Sequence, residues 1–313
     1  MEPIFALVLL VTGVAAGFAS GMLGVGGGFI MVPVQIWVLT SLGVEPTMAI
    51  RISFGTALAV ALPTAVNGAF GHHRRGAVVP RAALLLGVAG FAGAFFGGAV
   101  AAEAPGEILR VAFGLVVLAA AVRMATALDP RSGGGGGGDE VEGGDRLDGD
   151  DVVDGDEAVD GADGGYGGGR GGALSRIDAV YLLLGLPIGF ISGLVGIGGG
   201  LMMVPVLSMA MGFGIHRAVG TSTAAIILTS SGGVLSYVYH GLAVPGLPPF
   251  SLGYVNLLQA ALLAGASIPM AWAGVRAAHR LPAYRLRSVF SLVMVYIGLE
   301  MMGAFEIIRL LIR

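Results

Sequence analysis

Two glycine clusters make the strongest case for chemistry in this sequence. Gly24, Gly26, Gly27 and Gly28 lie in "GFASGMLGVGGGFIMVP" (residues 17–33), and Gly196, Gly198, Gly199 and Gly200 lie in "GFISGLVGIGGGLMMVP" (residues 189–205). Aligned without gaps, these two 17-residue stretches are identical at 11 positions. Each cluster precedes an apolar segment, where a helix would begin. A helix start presents N–H groups without carbonyl partners, together with the positive end of the helix dipole. Glycine has no side chain to keep a ligand away from those groups. The expected chemistry is therefore anion binding by backbone alone. Inside a membrane, broken helix survives only where protein buries it or where it lines a cavity. Close helix packing is the plainer use of small residues. Scattered glycines would serve packing equally well, and packing does not call for a repeated G-[VI]-G-G-G followed by M-V-P. Pro33 and Pro205 close the two copies as structural motif residues.

A second repeated motif brings hydroxyls. "GTALAVALPTAVNG" (residues 55–68) aligns with "GTSTAAIILTSSGG" (residues 220–233). Ser53, Gly55 and Thr56 are the candidates in the first copy, and Gly220, Thr221 and Ser222 in the second. A hydroxyl can donate to an oxyanion, or it can bond back to the preceding helical turn; both uses stay open here. The first copy has Ala57 where the second has Ser222. Asn67 and Gln259 are expected to bond between helices. Ionisable residues at membrane depth are costly and so are worth weighing. Arg51 precedes the first hydroxyl motif, and His216 and Arg217 precede the second. They would either draw an anion inward or snorkel to the interface. Glu300, in "YIGLEMMGAF", is the deepest acid and the candidate for proton coupling, with pairing to an arginine as the alternative.

Other chemistries find little support. "GVGGGF" and "GIGGGL" lack the last glycine of a dinucleotide fingerprint and follow no strand, and there is no phosphate-loop motif for ATP hydrolysis. The chain has no cysteine. His72 and His73 are adjacent and cannot share a helix face, so no metal site and no cofactor is expected. An intramembrane enzyme is the main alternative class, but the apolar segments hold no Asp pair, zinc-binding set or Gly-x-Ser-x-Gly. The expected partners are a small anion and the lipid bilayer, not nucleic acid. Self-association into a homo-oligomer is left open.

The elements that must position these residues are membrane segments. Hydrophobic residues make up 55% of the 313 and charged ones only 12%, about half the usual charged share. The expected fold is all-α and polytopic. Each half holds five apolar segments, near 3–23, 26–43, 47–70, 81–102 and 107–127, then near 177–195, 199–214, 217–239, 250–274 and 286–309. Residues 26–43 and 199–214 are short for a span, as expected of broken helices starting at the glycines. This divides the chain into a first transmembrane repeat (1–128), a linker (129–175) and a second repeat (176–313). Between Asp129 and Gly172 the linker holds 13 acids, 3 arginines and 18 glycines. Such a composition cannot bury a core and is expected to be disordered. Arg74, Arg75 and Arg81 follow the third segment, and Arg276, Arg280, Arg285 and Arg287 follow the ninth. If all ten segments cross, both arginine loops and the linker share the cytoplasmic side of the cell membrane. An odd number of crossings per half inverts one half relative to the other, a frequent transporter architecture.

At these residues the chain resembles the TauE/SafE family of sulfite exporters, also called TSUP permeases. The resemblance rests on "GMLGVGGGFIMVP", "GLVGIGGGLMMVP", the "GTA" and "GTS" motifs and "GHHRRGAV", and it covers nearly everything but the linker. It implies a secondary transporter of two repeated halves. The implied substrates are sulfur-containing or organic anions such as sulfite or sulfonates, with another small anion such as a carboxylate as the alternative. Carried over by position, the shared motif residues would be the glycines, Pro33, Pro205, Thr56 and Thr221. The expected mechanism is alternating access, the halves rocking about an anion held between the two broken helices.

Overall fold

The computed structural model describes residues 3–126, 175–278 and 283–304. The linker, except for Ser175, lies outside the described residues, as does Arg280. The first half forms α1 (Pro3–Leu23), α2 (Gly28–Ser41), α3 (Pro46–His73), α4 (Pro80–Glu103) and α5 (Gly106–Thr126). The second forms α6 (Arg176–Val195), α7 (Gly200–Pro205), α8 (Ile215–Gly241), the strands β1 (Ser251–Leu252) and β2 (Val255–Asn256), α9 (Leu257–Ala278) and α10 (Ala283–Met301). Helix α7 runs on as a π-helical turn, Val206–Ala210. The protein is a polytopic all-α membrane protein, and seven of these helices are long and apolar enough to cross a bilayer.

Local sequence sets the boundaries. Pro46 and Pro80 open α3 and α4 at the one position where a missing N–H costs nothing. Glu45 caps α3 by accepting from the N–H groups of Thr47 and Met48. Ser175 and Asp178 form a capping box at the start of α6, and Arg81 of α4 pairs with the same Asp178. Helix α2 has 14 residues, or about 21 Å, against about 30 Å of bilayer hydrocarbon.

Two segments differ from the sequence expectation. The helix expected from residue 250 starts at Leu257, behind the β1–β2 hairpin. Phe250 and Gly253 have positive φ, and the Asn256 side chain accepts from the N–H of Gln259, which caps α9 at its true start. Helix α10 ends at Met301, because Gly303 turns left-handed and its N–H bonds back to the Glu300 carbonyl.

The halves interlock. Gly13, Gly17 and Gly21 form one stripe of α1, and a Cβ at each would press on the carbonyl oxygen of Leu263, Ser267 or Ala271 of α9. Gly185, Gly189 and Gly193 of α6 meet the carbonyls of Leu86, Gly90 and Ala94 of α4 in the same way. The first helix of each half thus packs in parallel on the fourth helix of the other. Lipid offers no hydrophobic drive between helices, so close backbone approach must hold them together. Helices α3 and α8 run antiparallel, with Gly55 against Tyr237, Leu58 against Gly233 and Gly68 against Thr223. Large apolar side chains such as Leu7, Phe96, Ile108 and Leu183 are exposed on the outer surface, as a lipid-facing surface requires.

Candidate functional site

Both glycine clusters are turns that end one helix and start the next. Gly24, Gly26 and Gly27 have φ of 68°, 86° and 71°, and their counterparts Gly196, Gly198 and Gly199 have 70°, 93° and 84°. This left-handed backbone is what excludes other residues. Gly27 caps α2 and Gly199 caps α7. Among the described residues, the N–H groups of Gly27, Gly28 and Phe29 donate to no backbone carbonyl, and neither do those of Gly199, Gly200 and Leu201.

The two turns meet each other. A Cβ on Gly200 would lie 2.1 Å from the Gly24 carbonyl oxygen. A Cβ on Gly28 would lie 2.9 Å from the Gly196 oxygen, and one on Gly26 3.0 Å from that of Ile197. All eight glycines are buried. Each turn lies beneath a long helix of the opposite half: Gly24 under Val219 and Ser222 of α8, and Gly196 under Phe54 of α3. With no ionised side chain of its own, the crossing can favour an anion only through oriented N–H groups and hydroxyls.

The Gly-Thr pairs that open the hydroxyl motif make their bonds elsewhere. Gly55 leaves room for the Tyr254 carbonyl, while Thr56 Oγ1 accepts from the N–H of Asn256 at 2.9 Å. Gly220 leaves room for the Ala77 carbonyl, while Thr221 Oγ1 accepts from the N–H of Val79 at 3.0 Å. Each Gly-Thr pair therefore grips the chain just ahead of the fourth long helix of the other half. Ser53 bonds back to the Ala49 carbonyl. Of the six candidates Ser53, Gly55, Thr56, Gly220, Thr221 and Ser222, Ser222 bonds to the crossing, donating to the carbonyls of Val219 and, at 3.2 Å, Gly24.

Arg51 donates to the Ala104 carbonyl and the Tyr254 hydroxyl. Glu300 is exposed in the last turn of α10, not in mid-helix as the segment 286–309 implied. Pro33 lies inside a continuous α2, whereas Pro205 marks the change from α to π in the second half.

Several buried polar residues have roles that the sequence did not show. His72 bonds through Nε2 to the Gly21 carbonyl at 3.1 Å, and the Tyr237 hydroxyl donates to the Gly193 carbonyl at 2.9 Å. Both carbonyls belong to the last turn of a helix, where no intrahelical N–H remains to serve them. Ser192 and Ser230 flank the second turn: a Cβ at Gly199 would lie 3.5 Å from Ser192 Oγ, and one at Gly198 3.5 Å from Ser230 Oγ. Gln35 of α2 is fully buried, and among the described residues its amide has no hydrogen-bond partner. The signal for Ser230 was helical spacing. Thr223, Ile226, Ser230, Gly233 and Tyr237 form one buried face of α8, but "TSS" names three hydroxyls and only the orientation of the helix selects one.

The comparisons with known proteins agree along most of the chain. The family model "Sulfite exporter TauE/SafE" matches residues 9–301. A probable membrane transporter protein of Haemophilus influenzae is 26% identical over 297 residues, covering 95% of this chain and 98% of that protein. One from Methanocaldococcus jannaschii is 24% identical, covering 94% of each. The probable membrane transporter protein YunE of Bacillus subtilis is 23% identical, covering 86% of this chain and 85% of its own. No solved structure gives a significant match.

Proposed function

Since this chain belongs to the sulfite exporter TauE/SafE family and is a membrane transporter of that type, we propose that it carries a small sulfur-containing or organic anion, such as sulfite or a sulfonate. The observation that carries this reading is the meeting of the two glycine turns, backbone against backbone, at the crossing of the halves. One point then offers unpartnered N–H groups from two helix starts, which is an anion site built without a cation. The glycines are buried on all sides here, as the occluded stage of an alternating-access cycle requires.

The antiparallel crossing of α3 and α8 supports inverted repeats, because these helices carry the matching Gly-Thr motifs. Rocking of one half against the other would open the crossing first to one side and then to the other. The arginine-bearing loop after α3 favours a cytoplasmic face for that end, and with it the linker, in the cell membrane. No step of this cycle makes or breaks a bond, so the reading is of a carrier, not an enzyme.

Flux from proteoliposomes loaded with a panel of anions tests the reading. Sulfite or a sulfonate should move, and Gly199→Val should abolish the movement while the protein stays in the membrane. Unchanged flux in both Gly27→Val and Gly199→Val would sink the backbone site. Movement of carboxylates alone would replace the substrate class.

A further inference from the structure

Hydroxyls in membrane helices normally satisfy themselves by donating to a carbonyl one turn back. Ser53, Thr64, Thr223, Thr229 and Ser231 all do so here. Ser192 and Ser230 do not. They are 2% and 0% exposed, and among the described residues neither Oγ has a hydrogen-bond partner. The contrast is sharpest at Thr229-Ser230-Ser231, where the outer two hydroxyls bond back to the carbonyls of Ala225 and Ile227 and the middle one is left over. Both leftover hydroxyls sit at the same turn, one beside Gly198 and the other beside Gly199. The other nearest neighbours of Gly198 are the apolar side chains of Ala61 and Ile226. A buried hydroxyl without a partner is costly, and here two such costs fall on one backbone turn.

We propose that Ser192 and Ser230 are the side-chain donors to the transported oxyanion, which fixes its head group at the second half's turn. This rests on the anion-carrier reading above. It gives the hydroxyl role to residues other than Ser53, Thr56, Thr221 and Ser222, whose hydroxyls already serve the fold. The site is also lopsided: the position matching Ser230 in the first half is Ala65, so the hydroxyl pair exists at only one turn. Two donors flanking one turn suit a compact head group with several oxygens, such as sulfite or the sulfonate end of a longer anion.

The test uses the full chain in lipid nanodiscs for equilibrium sulfite binding, and in proteoliposomes for flux. Ser192→Ala and Ser230→Ala should each raise Kd and KM by about tenfold or more, the usual loss for a donor to a charged acceptor. Ser231→Ala, which removes a back-bonded hydroxyl one residue away, should leave both unchanged. If the wild type binds and moves sulfite while both serine variants keep its Kd, the assignment falls and the carrier reading stands. A loss of equal size in Ser231→Ala also overturns the assignment, because it marks general loosening of α8. If the wild type neither binds nor moves any anion of the panel, the carrier reading falls and takes the assignment with it.

Discussion

In the first half the orphan carbonyl of Gly21 is served by His72; in the second the matching carbonyl of Gly193 is served by Tyr237. The chemistry differs and the task does not. The same holds for Gly55-Thr56 and Gly220-Thr221, which grip the same stretch of the opposite half, and for the six left-handed glycines of the two turns. The halves diverge at the lining of the crossing. Ser222, over the first turn, is matched by Ala57, and Ser230, beside the second, by Ala65. The fully buried Gln35 is matched by Leu207. After its turn the first half continues as regular α-helix, while the second becomes π-helical beyond Pro205, a distortion frequent at functional sites. Framework positions tolerate different side chains because a position needs only one bond made. The lining need not be symmetric where, as proposed, two like turns that meet at one point make a single site.

The largest effects should fall where the halves are alike. A Cβ at Gly21 would lie 1.9 Å from the Ala271 oxygen, and one at Gly193 2.1 Å from that of Ala94. Neither carbonyl can retreat without parting the helices. Gly21→Val and Gly193→Val should each cost more than about 4 kcal/mol, seen as loss of the monodisperse peak on size exclusion after detergent extraction. If one variant extracts normally and the other does not, the parallel pairs α1–α9 and α6–α4 are not equivalent.

The turns themselves should separate the halves. Gly27→Ala and Gly199→Ala both force alanine into left-handed backbone, at about 1–2 kcal/mol. A Cβ at Gly199 finds its nearest neighbour at 3.5 Å, whereas one at Gly27 lies 2.6 Å from the Ala16 oxygen. Overpacking of that kind adds about 1–3 kcal/mol. The thermal midpoint should therefore drop further for Gly27→Ala than for Gly199→Ala. Equal drops would mean that α1 yields at Ala16.

Much of this arrangement was legible in the sequence, for reasons visible in particular residues. The starts of α2 and α7 were marked by glycine, whose left-handed backbone has no substitute, and those of α3 and α4 by proline. The gaps between apolar runs placed the remaining helices. Partners were not legible. Nothing in "GTA" shows that Thr56 will hold Asn256, 200 positions away, because the spacing of a motif encodes a helix face and not what faces it. The β1–β2 hairpin was lost inside an apolar run, since Phe250 and Gly253 change the backbone without changing the hydropathy. The end of α10 was read too far along because the apolar run continues past Gly303, where the helix stops.

A smaller effect tests whether His72 and Tyr237 are interchangeable. Tyr237→Phe removes one donor and leaves the Gly193 carbonyl buried and unserved, at about 1–3 kcal/mol. His72→Phe should cost a similar amount through Gly21. Thermal unfolding in detergent reads both. If only one variant loses stability, the two bonds are alike in position but not in weight.

The smallest effect lies at the start of the third helix of each half, where Glu45 caps α3 and Gly214 opens α8 with no side-chain bond. The N–H groups of Thr47 and Met48 hold the Glu45 carboxyl below its ordinary pKa. A carboxyl whose folded pKa is depressed adds stability above its unfolded pKa and loses it as pH falls through the folded value. Glu45→Ala should thus cost about 0.5 kcal/mol at neutral pH, the low end for a cap because solvent screens this one. The deficit should close as pH falls below the carboxylate range, where the wild type loses the same bond. Gly214→Asp should do the reverse, adding a cap to α8 that acts at neutral pH and fades in acid. A deficit for Glu45→Ala that persists in acid would show that the side chain stabilises α3 by packing and not through its charge.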